Sequence, residues 1–369
     1  MEMMNDPYRL AKKETRITPT ISVAHGVMVG IVALAAFLRL AGLGELPLNS
    51  AEASHALATF NFLHSLPALD TSVSPAYFAL SVLLQLVLGN SDATARLAPA
   101  LIGSASVGLL WLLRPRLGTM PTLIASVLLA VSPLHVALSR TASGDALALF
   151  ALLLLLVCAL NPRWQPTTRR TLSAVAFAFG LTTSPLFYTG LFVLSVAIGF
   201  KHAKSPPKLQ SAERKQWQQA GLIAVITFVG LATLFFSHPS GLGASADQLA
   251  QAIMQFGFSK KAFTPLLAVA RYEPIPLLLG SIALFLSSRQ NATAPPVTNL
   301  LRLLIALGLA LTLLQAGTKE NVLLWLLPLY LLLGQQFAGW IGEQVEKKVW
   351  LVGVVTFPQS CSQPAIVNS

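Results

Sequence analysis

Residues Ile21-Ser-Val-Ala-His-Gly-Val-Met-Val-Gly-Ile-Val-Ala-Leu-Ala-Ala-Phe-Leu-Arg-Leu-Ala-Gly-Leu43 form an apolar run long enough to cross a bilayer. The stretch soon after it, Leu46-Pro-Leu-Asn-Ser-Ala-Glu-Ala-Ser-His-Ala56, does not continue that pattern. A transmembrane helix needs roughly 20 mostly apolar residues, and Ile21–Leu43 supplies them behind a tail carrying Arg9, Lys12, Lys13 and Arg16. The run exceeds a signal-peptide core and lacks a small-residue cleavage site, so it reads as an anchor. The rest of the chain agrees. Of 369 residues 54% are hydrophobic and 11% charged, with a mean hydropathy of +0.67, whereas soluble domains are about a quarter charged. That composition excludes a soluble globular fold and predicts an all-α polytopic membrane protein. The net charge of +11 reads as basic cytoplasmic loops rather than a nucleic-acid footprint. Cys158 and Cys361 are too far apart in sequence to suggest a disulfide framework or a metal cluster.

Further spans are expected at about 97–113, 119–138, 145–160, 171–185, 186–200, 219–236, 274–288, 299–316 and 321–341, with a break at Ser184-Pro185 because the residue before proline disfavours helix. An apolar piece at 349–357 is too short to span. Residues 75–89 are apolar but also short for a crossing, and the distribution of charge decides their reading. With 75–89 not crossing, only Arg39, Arg96, Arg140, Lys260, Lys261, Arg271 and Lys319 of the 25 basic residues face outward. A crossing there would invert every later loop and erase that bias. The expectation is therefore about ten spans in a plasma membrane with a cytoplasmic N-terminus. The parts are a tail over 1–20, a membrane domain over 21–357 and a C-terminal tail over 358–369.

Eight of the 14 acids then face outward: Glu45, Glu52, Asp70, Asp92, Asp145, Asp247, Glu273 and Glu320. Two outer loops are long, at about 44–96 and 237–272. Residues 51–66 have the spacing of an interfacial helix, as do 245–258, where Ser245 is the expected N-cap. Loops of this kind commonly carry function. Four stretches stand out: Leu46–Ala56, Asp70-Thr-Ser-Val-Ser-Pro-Ala-Tyr77, Gly89-Asn-Ser-Asp-Ala-Thr-Ala-Arg-Leu-Ala-Pro99, and Ser132-Pro-Leu-His-Val-Ala-Leu-Ser-Arg-Thr-Ala-Ser-Gly-Asp145.

In their order these stretches resemble the lipid-phosphate-sugar-dependent glycosyltransferases of the GT-C fold, in the protein-mannosyltransferase/aminoarabinose-transferase-like branch. The matching pieces are Ala51-Glu52-Ala53, Ser74-Pro75-Ala76-Tyr77, Arg96-Leu97-Ala98-Pro99, and Ser132-Pro133 with Ser139-Arg140 and Asp145. The resemblance covers about 25–200; beyond that only the hydropathy pattern supports it. Three positions depart from the family. Its first acid, the usual catalytic base, falls on Ala51, a histidine falls on Ser74, and a second arginine falls on Ser143. The last stretch reads as a tail without a span, in a chain short of the C-terminal domain that some members carry.

The resemblance implies a GT-C-like bundle with interfacial helices in the first outer loop, moving a sugar from a polyprenyl-phosphate donor to an acceptor. It makes Glu52 the expected base, with a pKa raised by partial shielding, and gives Asp145 a catalytic or site-lining role. Arg140 and Arg96, whose forked donors suit phosphate, and Lys260 and Arg271 are the expected donor contacts, with His55 and Tyr77 lining the site. His55 also reads as interfacial packing, Asp145 as a charge complementing a helix N-terminus, and the arginines as headgroup contacts. The implied partners are the bilayer and the lipid-linked sugar, without nucleic acid; no spacing demands a divalent metal, and no motif names an oligomeric state. Two other readings are a non-catalytic protein on the same scaffold, favoured by Ala51 and Ser143, and a lipid-linked-sugar transporter, disfavoured because charges cluster at span ends. Gly26 and Gly30 are spaced for close helix packing.

Overall fold

The computed structural model describes residues 23–67, 73–202, 211–257, 262–289, 296–315 and 318–356, and among these no strand forms. Sixteen helices follow in order. The first five are α1 (Val23–Leu40), α2 (Ser50–Leu63), α3 (Pro75–Leu88), α4 (Asp92–Leu109) and α5 (Arg114–Leu117). Then come α6 (Thr119–Val131), α7 (Pro133–Ser139), α8 (Asp145–Leu160), α9 (Pro166–Leu181), α10 (Pro185–His202) and α11 (Ser211–Ala232). The last five are α12 (Gly241–Met254), α13 (Thr264–Tyr272), α14 (Pro274–Arg289), α15 (Pro296–Leu314) and α16 (Val322–Thr356). Each expected span carries a helix. Among the described residues four helices are long and apolar enough to cross a membrane, or up to six when each bent pair counts as one span. The bent pairs are α6 with α7, at 61°, and α13 with α14, at 104°. α9 and α11 open on polar turns, Pro166–Arg170 and Ser211–Gln216, which shorten their apolar parts.

The chain runs up and down the bundle, so that α2, α3, α12 and α13 gather at one end, called here the loop end. α3, 14 residues long, spans about 21 Å, short of the roughly 30 Å hydrocarbon core. It lies tucked under α2 and α4, with Tyr77, Ala76 and Phe78 buried. Burial along the spans sorts centre from rim. The crossing part of α16 is 72% buried and α1 only 22%. The run Val322–Leu333, apolar all round, makes α16 the central helix, packed on α6, α14 and α15. Gly334 allows that closeness, since a Cβ there would meet the Pro121 carbonyl.

Three expectations change. α12 begins four residues earlier than expected, so Ser245 lies inside the helix, its hydroxyl donating back to the Gly241 carbonyl at 3.1 Å. α16 does not stop near 341 but runs to Thr356, because no glycine-proline break interrupts it; the short apolar piece expected at 349–357 continues it as far as Thr356. A Cβ on Gly26 or Gly30 would meet nothing within 4 Å, so that pair makes no close helix approach. The tails, Lys260 and Cys361 lie outside the described residues.

Candidate functional site

At the loop end the chain has to end, bend and restart helices in a setting with little water, so its free backbone groups need partners. Three arginines supply much of this. α6 breaks at Ser132-Pro133. Proline has no N–H to give Leu129, and the Leu134 N–H that would serve Ala130 goes to Glu273 instead. Arg39, fully buried, donates to both stranded carbonyls at 3.1 Å. It also donates to Ala35 O at 2.9 Å and sits 2.7 Å from His135 Nδ1. Across the same break, the buried Glu273 carboxylate accepts the Ser132 hydroxyl, the Leu134 N–H and the Tyr330 hydroxyl. Arg140 closes the C-terminus of α1, donating to Ala41 O at 2.6 Å, Gly42 O at 3.0 Å and Leu38 O at 3.1 Å. Arg96 gathers the carbonyls of Leu43, Leu46 and Pro47 at 3.2, 2.7 and 3.1 Å.

Glu52 is tied into the same framework. Asn49 caps α2, accepting from Glu52 N at 2.9 Å while its own N–H donates to Glu52 Oε2 at 3.1 Å, a reciprocal capping box. The carboxylate also takes Arg96 Nε and Nη2 at 2.9 and 2.8 Å, a bidentate pair, and the Ala142 N–H at 2.9 Å. Burial pushes its pKa up, but the Arg96 hydrogen bonds, the Ala142 and Asn49 amides and the Arg96 charge outweigh that and hold it at about 2. The raised pKa expected for a base is reversed, because a guanidinium and two amides already occupy the carboxylate. Glu52 joins α2 to α4 and to the loop before α8. Ala51, one residue earlier, is exposed.

Asp145 and Glu320 stand differently. Asp145 opens α8, where the macrodipole favours a negative charge, and accepts the Ser143 hydroxyl at 2.9 Å. Gly144 lets this turn approach the α9–α10 break, since a Cβ there would run into the Thr183 carbonyl and Ser74 Oγ. Opposite lies the polar turn Thr318-Lys-Glu-Asn321 between α15 and α16. Burial raises the Glu320 pKa, and the neighbouring charge of Asp145 raises it further, against a smaller opposing effect of Lys319. The turn is held from behind by a buried network. Gln315 accepts from Thr189 at 3.1 Å and from Asn321 at 2.6 Å, and donates to Ala252 O at 3.2 Å. Asn321 also donates to Thr318 at 2.6 Å. The two half-buried carboxylates therefore sit on braced turns.

The remaining expected residues divide. Tyr77 is buried and donates to Ala95 O at 2.9 Å. His55 is half-buried, its Nδ1 2.8 Å from Ala142 O and its ring centroid 5.8 Å from that of Tyr77. Arg271 is exposed, beside Tyr272. The structure thus brings Glu52, Arg96 and His55 onto one framework, with Arg140 at the end of α7 closing α1, while Asp145 at the start of α8 acts on the Glu320 turn. Sequence reading missed Arg39, Glu273 and Glu320 in these roles. The signals available were a cation ending the first span, an acid at a proline-marked bend, and a four-residue polar turn between two apolar runs. Among the described residues no group of three or more His, Cys, Asp or Glu side chains is placed to hold a metal ion.

The family model described as dolichyl-phosphate-mannose-protein mannosyltransferase matches residues 72–233. No curated protein matches the chain in sequence. Among solved structures, ArnT from Cupriavidus metallidurans bound to undecaprenyl phosphate is similar with a TM-score of 0.64 and 16% identity, over 91% of this chain and 66% of that one. The oligosaccharyltransferase of Archaeoglobus fulgidus tethered to an acceptor peptide is similar with a TM-score of 0.57 and 11% identity, over 85% of this chain and 49% of that one. The chain thus spans about two thirds of the length of ArnT. At these identities the likeness is one of fold, and it carries the resemblance past residue 200, where the motifs end.

Proposed function

From a chain with the GT-C fold of the protein-mannosyltransferase and ArnT type, we propose that this protein is a membrane glycosyltransferase. In this reading it moves a sugar from a polyprenyl-phosphate to an acceptor at the outer face of the plasma membrane, with its N-terminus in the cytoplasm. The observation that carries the proposal is the braced loop end, where Asp145 opens α8 and Glu320 stands in a turn held by Gln315 and Asn321. The orientation follows from charge. Among side chains the structure describes, every acid lies at the loop end, while Arg114, Arg116, Arg163, Arg169, Arg170, Arg289 and Arg302 lie at the other, as expected for a cytoplasmic side.

The chemistry asks for a base, a phosphate-binding cation and an apolar surface for the lipid. Glu320, whose proton affinity is raised toward the working range, takes the proton of the acceptor nucleophile as that group attacks the anomeric carbon. The bond from that carbon to the phosphate oxygen breaks, and polyprenyl phosphate leaves. Burial raises the proton affinity of Glu320, and the charge of Asp145 raises it further. Arg271 and Lys319, both exposed at the loop end, are the cations for the leaving phosphate; Lys260 is a further candidate. Arg96 and Arg140 bind backbone and position the loops. A donor related to undecaprenyl phosphate, the lipid bound in the similar ArnT, is the natural first substrate.

The test is turnover of a panel of polyprenyl-phosphate sugars by the purified protein in lipid, with Glu320→Gln and Asp145→Asn beside the wild type. Loss of a general base should lower turnover by about 10²–10⁴-fold. Turnover untouched in Glu320→Gln would remove that residue from the role. Donor binding without turnover in the wild type would favour the second reading, a non-catalytic member of the scaffold, which rests on alanine at position 51 where the family carries its first acid.

A further inference from the structure

At the end of the bundle away from the loops, α5, α6, α14, α15 and α16 leave a cavity of about 820 Å³. Its walls are mainly apolar, with Leu279, Ile282, Leu286, Phe337 and Trp340 among them, and two exposed arginines, Arg116 and Arg289, line it as well. Arg116 spends one donor, Nε, on Leu160 O at 3.2 Å. The Arg289 guanidinium lies 4.7 Å from the Phe285 ring centroid. Each arginine closes a helix, as the last residue of α14 or within the final turn of α5.

We infer that this cavity is a binding site for one acidic phospholipid of the cytoplasmic leaflet, its acyl chain among the apolar walls and its phosphate on Arg116 and Arg289. Three features select that occupant. The volume falls within the range of ligand pockets, and the lining is an apolar interior joined to cationic side chains. The described side chains at this end include no acid, so a zwitterionic headgroup gains nothing over an anionic one, and an anionic one gains the field of every nearby arginine. Basic pockets between transmembrane helices on the cytoplasmic side are known to take anionic headgroups. The site lies at the opposite end from the Asp145–Glu320 pair and does not depend on turnover. It rests on the proposed function only for its orientation.

The test uses the whole purified protein in neutral detergent, titrated with phosphatidylglycerol, phosphatidylcholine or glycerol 1-phosphate, with thermal unfolding and native mass spectrometry as readouts. Phosphatidylglycerol should raise Tm and remain bound where the other two do not. At about 1 kcal/mol for each arginine near the headgroup, the double variant Arg116→Gln/Arg289→Gln should bind phosphatidylglycerol about thirtyfold more weakly, measured against its own lipid-free Tm, since the change also removes the Arg116 bond to Leu160 O. Filling the cavity with Ile282→Trp should abolish the response while leaving both charges. Equal responses to the two lipids, a full response to glycerol 1-phosphate alone, or a phosphatidylglycerol response that survives both variants would overturn the assignment.

Discussion

Glu52 and Glu320 are both carboxylates at the loop end, in loops that precede or open a helix, and their surroundings drive them in opposite directions. Glu52 is 5% exposed, yet its pKa falls to about 2, because Arg96 and two amides complete its hydrogen bonding. Glu320 is half-buried, and its pKa rises, because burial penalises its charge and the nearby charge of Asp145 adds to that, with no cation bonded to it among the described residues to reverse the effect. Burial pushes both values up, and only at Glu52 do the partners reverse it. The residue most enclosed by donors is the least available to take a proton, and the half-enclosed acid is the more available. This contrast separates holding the loops together from handling a proton.

The sharpest way to break the contrast is to remove Glu52. Its loss leaves the Arg96 guanidinium buried without its counter-ion and the Ala142 N–H without its acceptor, and breaking a buried pair on one side costs about 3–5 kcal/mol. Glu52→Ala should destabilise the fold by that amount in chemical or thermal unfolding in detergent. Glu52→Ala/Arg96→Leu should cost clearly less than the two single changes added together, since they share one interaction. If Glu52→Ala unfolds like the wild type and loses only turnover, the roles assigned to the two acids are exchanged. Turnover of this variant is interpretable only alongside its unfolding curve.

A smaller effect is expected at Gly144, which sets how closely the Asp145 turn approaches the α9–α10 break. Its φ is ordinary, −81°, so the constraint is space and not backbone conformation. In Gly144→Ala the new methyl meets the Thr183 carbonyl and Ser74 Oγ, and overpacking of this kind costs about 1–3 kcal/mol. Because the strain falls next to Asp145, turnover should drop by more than stability alone accounts for, while Glu52 and its partners keep their contacts. An equal loss in both measurements would detach Asp145 from the site.

Much of this was legible in the sequence, and the rest was hidden for identifiable reasons. Ile21–Leu43 and the later apolar runs found the helices because bilayer thickness fixes span length. The Ser184-Pro185 break and the short helix at 75–89 followed from proline chemistry and from the charge balance. The stretches around Glu52, Arg96, Arg140 and Asp145 come together at the loop end, but sequence order could not tell a residue that holds a loop from one that faces a substrate. Arg96 reaches Glu52 across 44 positions, and Glu320 meets Asp145 from the far end of the chain, so no local pattern joins either pair. Arg39 and Glu273 were missed as partners because their task is set by carbonyls and amides stranded at a bend, and the 61° bend at Pro133 lies inside what hydropathy reads as one span.

The finest test of the contrast is its pH dependence, where the two acids should carry opposite signs. Glu52 has a folded pKa below its unfolded value of about 4.5. It therefore stabilises the fold above that value, and the contribution is lost as pH falls from about 4.5 toward 2. Glu320 has a folded pKa above its unfolded value. It therefore costs stability at pH above its raised folded value, and the cost disappears as pH falls through that value toward the unfolded one. Acidifying from neutral should first relieve Glu320 and only later weaken Glu52. Glu320→Gln should be more stable than the wild type at neutral pH, and the gap should close on acidification. In Asp145→Asn the closing point should shift to lower pH, because the neighbouring charge that lifts Glu320 is gone. A gap independent of pH would mean that folding does not shift Glu320, and a closing point that Asp145→Asn leaves unmoved would mean that the two carboxylates do not sense each other and that burial alone lifts Glu320.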